Sequence, residues 1–274
     1  MRALQYFFAT LLGLLILIPL MMTVTISLNP DNTDILATMG SWKSFIPQRF
    51  SWDNYIAVWS DPYHPFGRYL FNTAFITATT LLLSLTINSM AAFSLAWGEG
   101  KWRKFVLAGV ISVLAIPGES LVLPQLLMVS RAGIVDTYAV QILPGLANAF
   151  FIFLFYQFFS RIPRDLIDAA KVDGFNLFKT YWHIGLPSSK PVCITVAILH
   201  FLGIWNSYLW PIMVTRGPEV RPLSVAMSAY FGSNQTYWGN IMAFAVCMAI
   251  PVIIFFLIVQ RQFIASITGS AVKG

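Results

Sequence analysis

Few side chains in this sequence are equipped for chemistry, and most of them sit inside apolar runs. Between Val192 and Val214 the chain places Trp205, Asn206, Ser207, Tyr208 and Trp210, two indoles, an amide and two hydroxyls without a fixed charge. An amide left in lipid without a partner is costly, so Asn206 is expected to line a polar path or its gate, with Trp205 and Tyr208 beside it. Tyr and Trp also gather at membrane interfaces on their own account, and Trp210 beside Pro211 fits such a belt. Glu119 is the one carboxylate inside a long apolar stretch, and an acid at membrane depth is a functional candidate by default. It is either a gate residue or, if Pro117 and Gly118 end the helix there, a solvated helix end. His200 reads as a packed, hydrogen-bonded histidine rather than a proton relay.

Several chemistries are missing from the sequence. No GxxxxGK[ST] occurs; Gly98-Glu99-Gly100-Lys101 lacks both the spacing and the hydroxyl residue of a phosphate-binding loop. His64, His183 and His200 are scattered, and Cys193 and Cys247 fall in separate apolar runs, so metal-ligand spacing is absent and neither cysteine is expected in a disulfide. No nucleophile, base and orienting group can be set together. The chain is therefore expected not to be an enzyme, and to bind no cofactor of its own.

The elements that must position these residues are membrane spans. At 57% hydrophobic and 10% charged, with a mean hydropathy of +0.71, the 274 residues have membrane composition. The net charge of +6 does not point to nucleic acid, because no basic cluster is interleaved with exposed aromatics. Uncharged or nearly uncharged runs predict spans over about 6–28, 69–97, 105–128, 140–159, 192–214 and 241–259, each near the roughly 20 residues a helix needs to cross. Pro117, Glu119 and Pro124 predict that the third is bent or ends early. The first run is too long, and lacks the cleavage site, for a signal peptide. Residues 29–68 read as an external loop with a short helix around 52–59, and 215–239 as a polar, glycine-rich external loop. No internal repeat is evident, and one all-α membrane domain, residues 1–274, is the expectation. Arg2, Lys101, Arg103, Lys104, Arg161, Arg164, Lys171, Lys179, Lys190, Arg261 and Lys273 fall on one face of the six-span topology. Only Lys43, Arg49, Arg68, Arg131, Arg216 and Arg221 fall on the other. By the positive-inside rule both termini and the 160–191 loop are cytoplasmic.

That loop is the longest charged segment between two apolar ones. Pro163 suits a helix start and Gly174 supplies a left-handed stop, predicting a short helix from about 163 to 173. Leu166, Ile167, Ala169 and Ala170 give it apolar or very small faces, with the two alanines open to close approach by another protein. After Gly174 a second short pattern, Leu177, Phe178, Tyr181 and Trp182, is expected to end at Gly185 and Pro187. The residues alone also fit an amphipathic hairpin lying in the headgroup layer.

The string Asp168-Ala169-Ala170, three residues, Gly174, nine residues, Ile184-Gly185-Leu186-Pro187 resembles the EAA loop of permease subunits in bacterial ABC importers, with Asp168 where glutamate is usual. Trp205-Asn206, Tyr208 through Pro211, Gly133 to Thr137 and the closing Gly-Ser-Ala-Val-Lys-Gly are similar to the carbohydrate-importer branch typified by MalG. That branch has glutamate after Trp-Asn; here Ser207 stands there. The resemblance implies a coupling helix between spans four and five that docks on an ATPase through Asp168, Ala169, Ala170, Asp173, Gly174, Ile184, Leu186 and Pro187. It implies as partners a homologous second permease chain, two ATPase copies carrying the ATP and Mg, and an extracytoplasmic solute-binding protein. The 215–239 loop would reach into that binding protein, and the tail residues Gly269, Lys273 and Gly274 would touch the ATPase. The solute would be a sugar, whose ring faces and hydroxyls suit Trp205, Asn206 and Tyr208. An importer for another polar solute such as a glycerol phosphate, and a proton-driven secondary transporter using Glu119 or His200, are the alternatives.

Overall fold

The computed structural model describes residues 2–233 and 237–271, with side chains over 4–233 and 237–260. Every regular element among the described residues is helical. In chain order these are α1 (Arg2–Ser27), α2 (Asn32–Thr38), α3 (Asp53–Ser60), α4 (Phe66–Trp97), α5 (Trp102–Val113), α6 (Val122–Arg131), α7 (Tyr138–Ile142), α8 (Ala149–Phe159), α9 (Arg164–Val172), α10 (Leu177–Thr180), α11 (Leu186–Ser188), α12 (Lys190–Trp205), α13 (Leu209–Val214), α14 (Leu223–Ser233) and α15 (Trp238–Ala271). Leu4–Ser27, Phe66–Trp97 and Trp238–Gln260 are each long and apolar enough to cross a membrane unbroken. Three further stretches pass only as bent pairs: Trp102–Val113 with Gly118–Arg131 at 98°, Tyr138–Gly145 with Ala149–Phe159 at 40°, and Leu177–Ser188 with Lys190–Trp205 at 76°. Counting each pair as one span gives six.

The first two of these breaks, and a further one after Lys190–Trp205, have local causes. Pro117 takes ψ 129 and cannot continue α5, so the run expected to bend there turns through Gly118–Leu121 before α6. The fourth run, expected unbroken over 140–159, narrows to a tight turn at Leu143–Gly145 and restarts at Asn148. The Asn148 side chain accepts from the Phe150 and Phe151 amides as a helix cap. The fifth, expected unbroken over 192–214, stops at Asn206 and resumes at Leu209, with Tyr208 outside helical geometry at φ −122, ψ −51.

The chain divides into two compact units, Met1–Asn72 with Arg221–Ile254, and Thr73–Val220 with Phe255–Gly274. In the first, the Asn54 amide donates to the Ser27 and Asn29 carbonyls at 2.9 and 2.8 Å, closing the end of α1. The expected short helix appears as α3. The loop expected over 215–239 contains α14, which buries Leu223, Ala226 and Tyr230. Their i, i+3, i+7 spacing makes one apolar stripe, a signal that the polar and glycine-rich composition masked.

The second unit is built on aromatic packing. Ala92, Phe93, Phe151, Phe155, Phe159, Ile162, Ile167, Tyr181 and Val196 form one buried cluster drawn from α4, α8, α9, the turn after α10, and α12. Phe93 meets Phe159 edge-on at 5.2 Å and Tyr181 at 5.5 Å. Lipid is as apolar as these rings, so close fit rather than escape from water holds such helices together. Edge-to-face pairs add about 0.5–1.5 kcal/mol each.

Candidate functional site

The charged segment between α8 and α12 folds as an elbow. Pro163 stands just before α9 at ψ 136, Asp165 occupies its positive first turn and Lys171 its negative last turn. Gly174, at φ +77, ends it. The Phe175 amide reaches back to the Ala170 carbonyl at 2.9 Å and the Gly174 amide to the Lys171 carbonyl at 3.0 Å, the paired bonds of a left-handed helix stop. A side chain at 174 would meet nothing within 4 Å, so only the backbone conformation demands glycine there.

The second arm departs from expectation. Gly185 and Pro187 do not end it: α10 passes into a wide turn over Tyr181–Gly185 and on through Leu186–Ser188. Pro187 lies at the start of α11, where a missing N–H is tolerated. Gly185 is required by packing, since a Cβ there would come within 2.7 Å of the Phe93 ring. The Tyr181 hydroxyl pairs with Ser89 Oγ at 2.8 Å, and the Trp97 indole donates to the Phe159 carbonyl at 2.9 Å. Both arms are thereby fixed to the aromatic cluster, α9 through Ile167 and the second arm through Tyr181 and Leu186.

What remains outward is a bare, charged and partly apolar face. Arg164, Asp168, Ala169, Lys171, Asp173 and Gly174 are exposed, Val172 is 88% exposed and Leu166 is 51% exposed. Of the two alanines expected to admit another backbone, Ala169 is open while Ala170 is buried against the core. Pro187 is exposed; Ile184 and Leu186 are half-buried. An open groove of about 620 Å³ runs along α9 between Trp97, Glu99, Lys171 and Leu177. A neighbouring one of about 360 Å³ is edged by Glu99, Arg103, Arg164, Asp168 and Lys171. Ion pairs among the described residues join Arg49 to Asp31 and Asp34, and His64 to Asp61, so the groove charges form no ion pair among those residues.

The residues expected to line a polar path do not converge. Trp205 is buried, stacked on Phe201 at 5.3 Å, and its indole N–H has no partner. Asn206 is exposed, and its amide donates to the Leu202 carbonyl at 2.9 Å, closing the end of its own helix. Tyr208 is 41% exposed beyond the break. Glu119 is exposed on the Gly118–Leu121 turn, as a solvated helix end would be. Trp210, read as an interfacial belt residue, donates to the Val140 carbonyl at 2.9 Å. Gly269 falls within α15, and Lys273 and Gly274 lie outside the described residues.

A polar seam the sequence reading missed runs down α4. Thr73, Thr77, Thr80, Ser84 and Asn88 recur at intervals of four and three and are all buried. That period is legible in sequence, but a search for charged residues passes over it. Asn88 is fully satisfied: it donates to the Ser84 and Leu146 carbonyls and accepts from the Asn148 amide at 2.9 Å, tying α4 to the break in the fourth span. Higher up, Thr77 Oγ1, Thr80 Oγ1, Gln141 Oε1 and His200 Nδ1 are buried without partners. Gly145 lies between two of these side chains, since a Cβ there would come within 2.7 Å of the Thr80 methyl and 3.8 Å of His200 Nε2. Nearby, 214–220 is strapped to α7 and the turn before it. Asp136, at φ +64, donates its amide to the Val214 carbonyl and accepts from the Arg216 amide, both at 2.8 Å. Gln141 also donates to the Val220 carbonyl at 2.7 Å.

Spans broken at capped turns, a buried polar seam and a charged elbow fixed to three of the spans define a multi-pass membrane protein of the transporter class. Residues 88–269 match the family model described as the binding-protein-dependent transport system inner membrane component, and the chain belongs to that family. It is 34% identical over 247 residues to the melibiose/raffinose/stachyose import permease protein MelC of Bacillus subtilis (strain 168), covering 88% of this chain and 89% of that one. It is 30% identical over 256 residues to the arabinooligosaccharides transport system permease protein AraQ of Halalkalibacterium halodurans, covering 93% and 91%. A crystal structure of a bacterial ABC transporter involved in import of the acidic polysaccharide alginate contains a chain that aligns with a TM-score of 0.79 at 25% identity, over 96% of this chain and 97% of that one.

Proposed function

We propose that this permease carries a sugar or sugar derivative across the bacterial cytoplasmic membrane, on six spans with both termini cytoplasmic. An extracytoplasmic binding protein delivers the solute. A separate ATPase, present in two copies that hold the ATP and Mg, drives the cycle, and a homologous second permease chain completes the path. The observation that carries this reading is the elbow: its inner side is locked into the cluster of α4, α8 and α12, while its outer side offers unpaired charge and an open groove. Closure of an ATPase pair gripping Asp168, Ala169, Asp173 and Gly174 turns the elbow as a rigid body and moves the three attached spans with it. Ala170, Ile184, Leu186 and Pro187 hold that geometry from beneath or beside. Trp205, Asn206 and Tyr208 flank the fifth-span break and Glu119 a mouth, where a polar solute passes. The tail residues Gly269, Lys273 and Gly274 add a contact to the ATPase.

The test is reconstitution with the second permease, ATPase and binding protein, followed by uptake of labelled neutral oligosaccharide and of glycerol phosphate in parallel. Uptake of the oligosaccharide that needs ATP and binding protein, and survives collapse of the proton gradient, is expected. Uptake of glycerol phosphate alone would replace the sugar reading, and uptake abolished by an uncoupler at constant ATP would point to a proton-driven carrier.

A further inference from the structure

A third groove opens at the α4–α5 corner, sharing Arg103 with the groove of about 360 Å³ beside the elbow. The corner is tight: Gly100 takes φ +108, and the Trp102 indole folds back to donate to the Glu99 carbonyl at 3.1 Å. The Arg103 guanidinium turns under it to the Ala96 carbonyl at 2.8 Å and the Leu95 carbonyl at 3.3 Å, closing the end of α4. Beside this a groove of about 450 Å³ opens, with Leu95, Leu107 and Tyr156 along its floor and Lys101, Arg103 and Lys104 at its rim. Lys101 and Lys104 are exposed and form no ion pair among the described residues. Glu99, the nearest carboxylate in sequence, edges the neighbouring groove with Arg164 and Asp168 instead. Next to the basic rim, Trp102 is 50%, Phe105 81% and Val106 44% exposed, as residues facing acyl chains and the headgroup layer are.

A basic rim over an apolar floor at the end of a membrane span has the division of an anionic phospholipid, a phosphodiester joined to acyl chains. We infer that the groove between the first turn of α5 and Tyr156 of α8 holds one anionic phospholipid, its phosphate on Lys101 and Lys104 and an acyl chain along Leu107 and Tyr156. Arg103 adds positive charge from below while fixing the corner. A neutral zwitterionic lipid would fit the floor but bring its own cation to the rim, so the site discriminates by charge. This lipid site stands apart from the transport reading and needs only that the chain is membrane-embedded.

Native mass spectrometry of the full chain in detergent tests it, with phosphatidylglycerol, phosphatidylcholine and inorganic phosphate as probes. The wild type is expected to retain one phosphatidylglycerol through a delipidating wash and little phosphatidylcholine. Lys101→Gln with Lys104→Gln is expected to lower that retention by about tenfold or more, because each juxtamembrane lysine contributes a several-fold preference for anionic lipid. Lys43→Gln, a lysine outside the groove's lining, is expected to change nothing. Circular dichroism and Tm of the double variant show whether it is folded; should it not be, Leu107→Ser alone is expected to lower phosphatidylglycerol retention through the floor. Equal retention of both lipids, loss of retention in Lys43→Gln as large as in the double variant, or displacement of the lipid by millimolar inorganic phosphate would overturn the assignment.

Discussion

The inner side of the elbow and the seam both belong to the packing around α4, yet they are built in opposite ways. Beneath the elbow nearly every polar group has its partner: Tyr181 with Ser89, the Trp97 indole with the Phe159 carbonyl, and the α9 carbonyls with the Gly174 and Phe175 amides. The upper seam instead holds Thr77, Thr80, Gln141 and His200 with polar atoms unpaired. A satisfied, aromatic-packed unit moves as one piece. A seam with unpaired hydrogen-bonding groups favours any rearrangement, or any guest, that pairs them. On the proposed coupling, the contrast separates a part that would transmit motion from a part that would rearrange during it.

The largest expected effect comes from the end of α9. Gly174→Val forces a β-branched residue to φ +77, at about 1–2 kcal/mol or more, and should abolish uptake while the protein stays in the membrane; wild-type uptake would break the contrast from the elbow side. Next comes the satisfied end of the seam. Asn88→Leu leaves the Leu146 carbonyl and Asn148 amide without their partner, so a loss of about 2–4 kcal/mol is expected, read as a lower Tm in detergent. Gly185→Ala drives a methyl into the Phe93 ring and should destabilise by about 1–3 kcal/mol, with Phe93→Leu restoring part of the loss. The smallest effect belongs to the unpaired end. Thr80→Val replaces an orphaned hydroxyl by a methyl of similar shape, so Tm should stay within a degree or two or rise. A Tm drop as large as that of Asn88→Leu would show that Thr80 is satisfied after all and erase the difference between the two ends.

The elbow was legible in the sequence and the seam obscure, for a physical reason. Long uncharged runs, the proline and glycine that bound α9, and the Asp168-to-Pro187 spacing are strong local signals, and α9 and its left-handed stop lie where they were expected. The same local reading misplaced Gly185. As a helix breaker it suggests a stop, whereas its absent side chain answers to Phe93, distant in sequence. Asn206 invited a role in a path because an amide in lipid needs a partner, yet it finds one in the Leu202 carbonyl four residues back. The α4 seam carries no charge, so it vanishes into a run read only for hydropathy, although its period is plain once burial is known. The span breaks at Asn148 and Asn206 are cap geometries, visible only when the Phe150 and Phe151 amides and the Leu202 carbonyl they serve are in view.

On the proposed coupling, motion enters through the outer face of α9, where Val172 is 88% exposed. Val172→Cys, with Cys193 and Cys247 replaced by Ser, should cross-link to the ATPase through a short thiol-reactive reagent in the assembled importer, with uptake lost in proportion to the adduct. Labelling of that cysteine in intact cells by a membrane-impermeant reagent, with no ATPase adduct, would contradict the account.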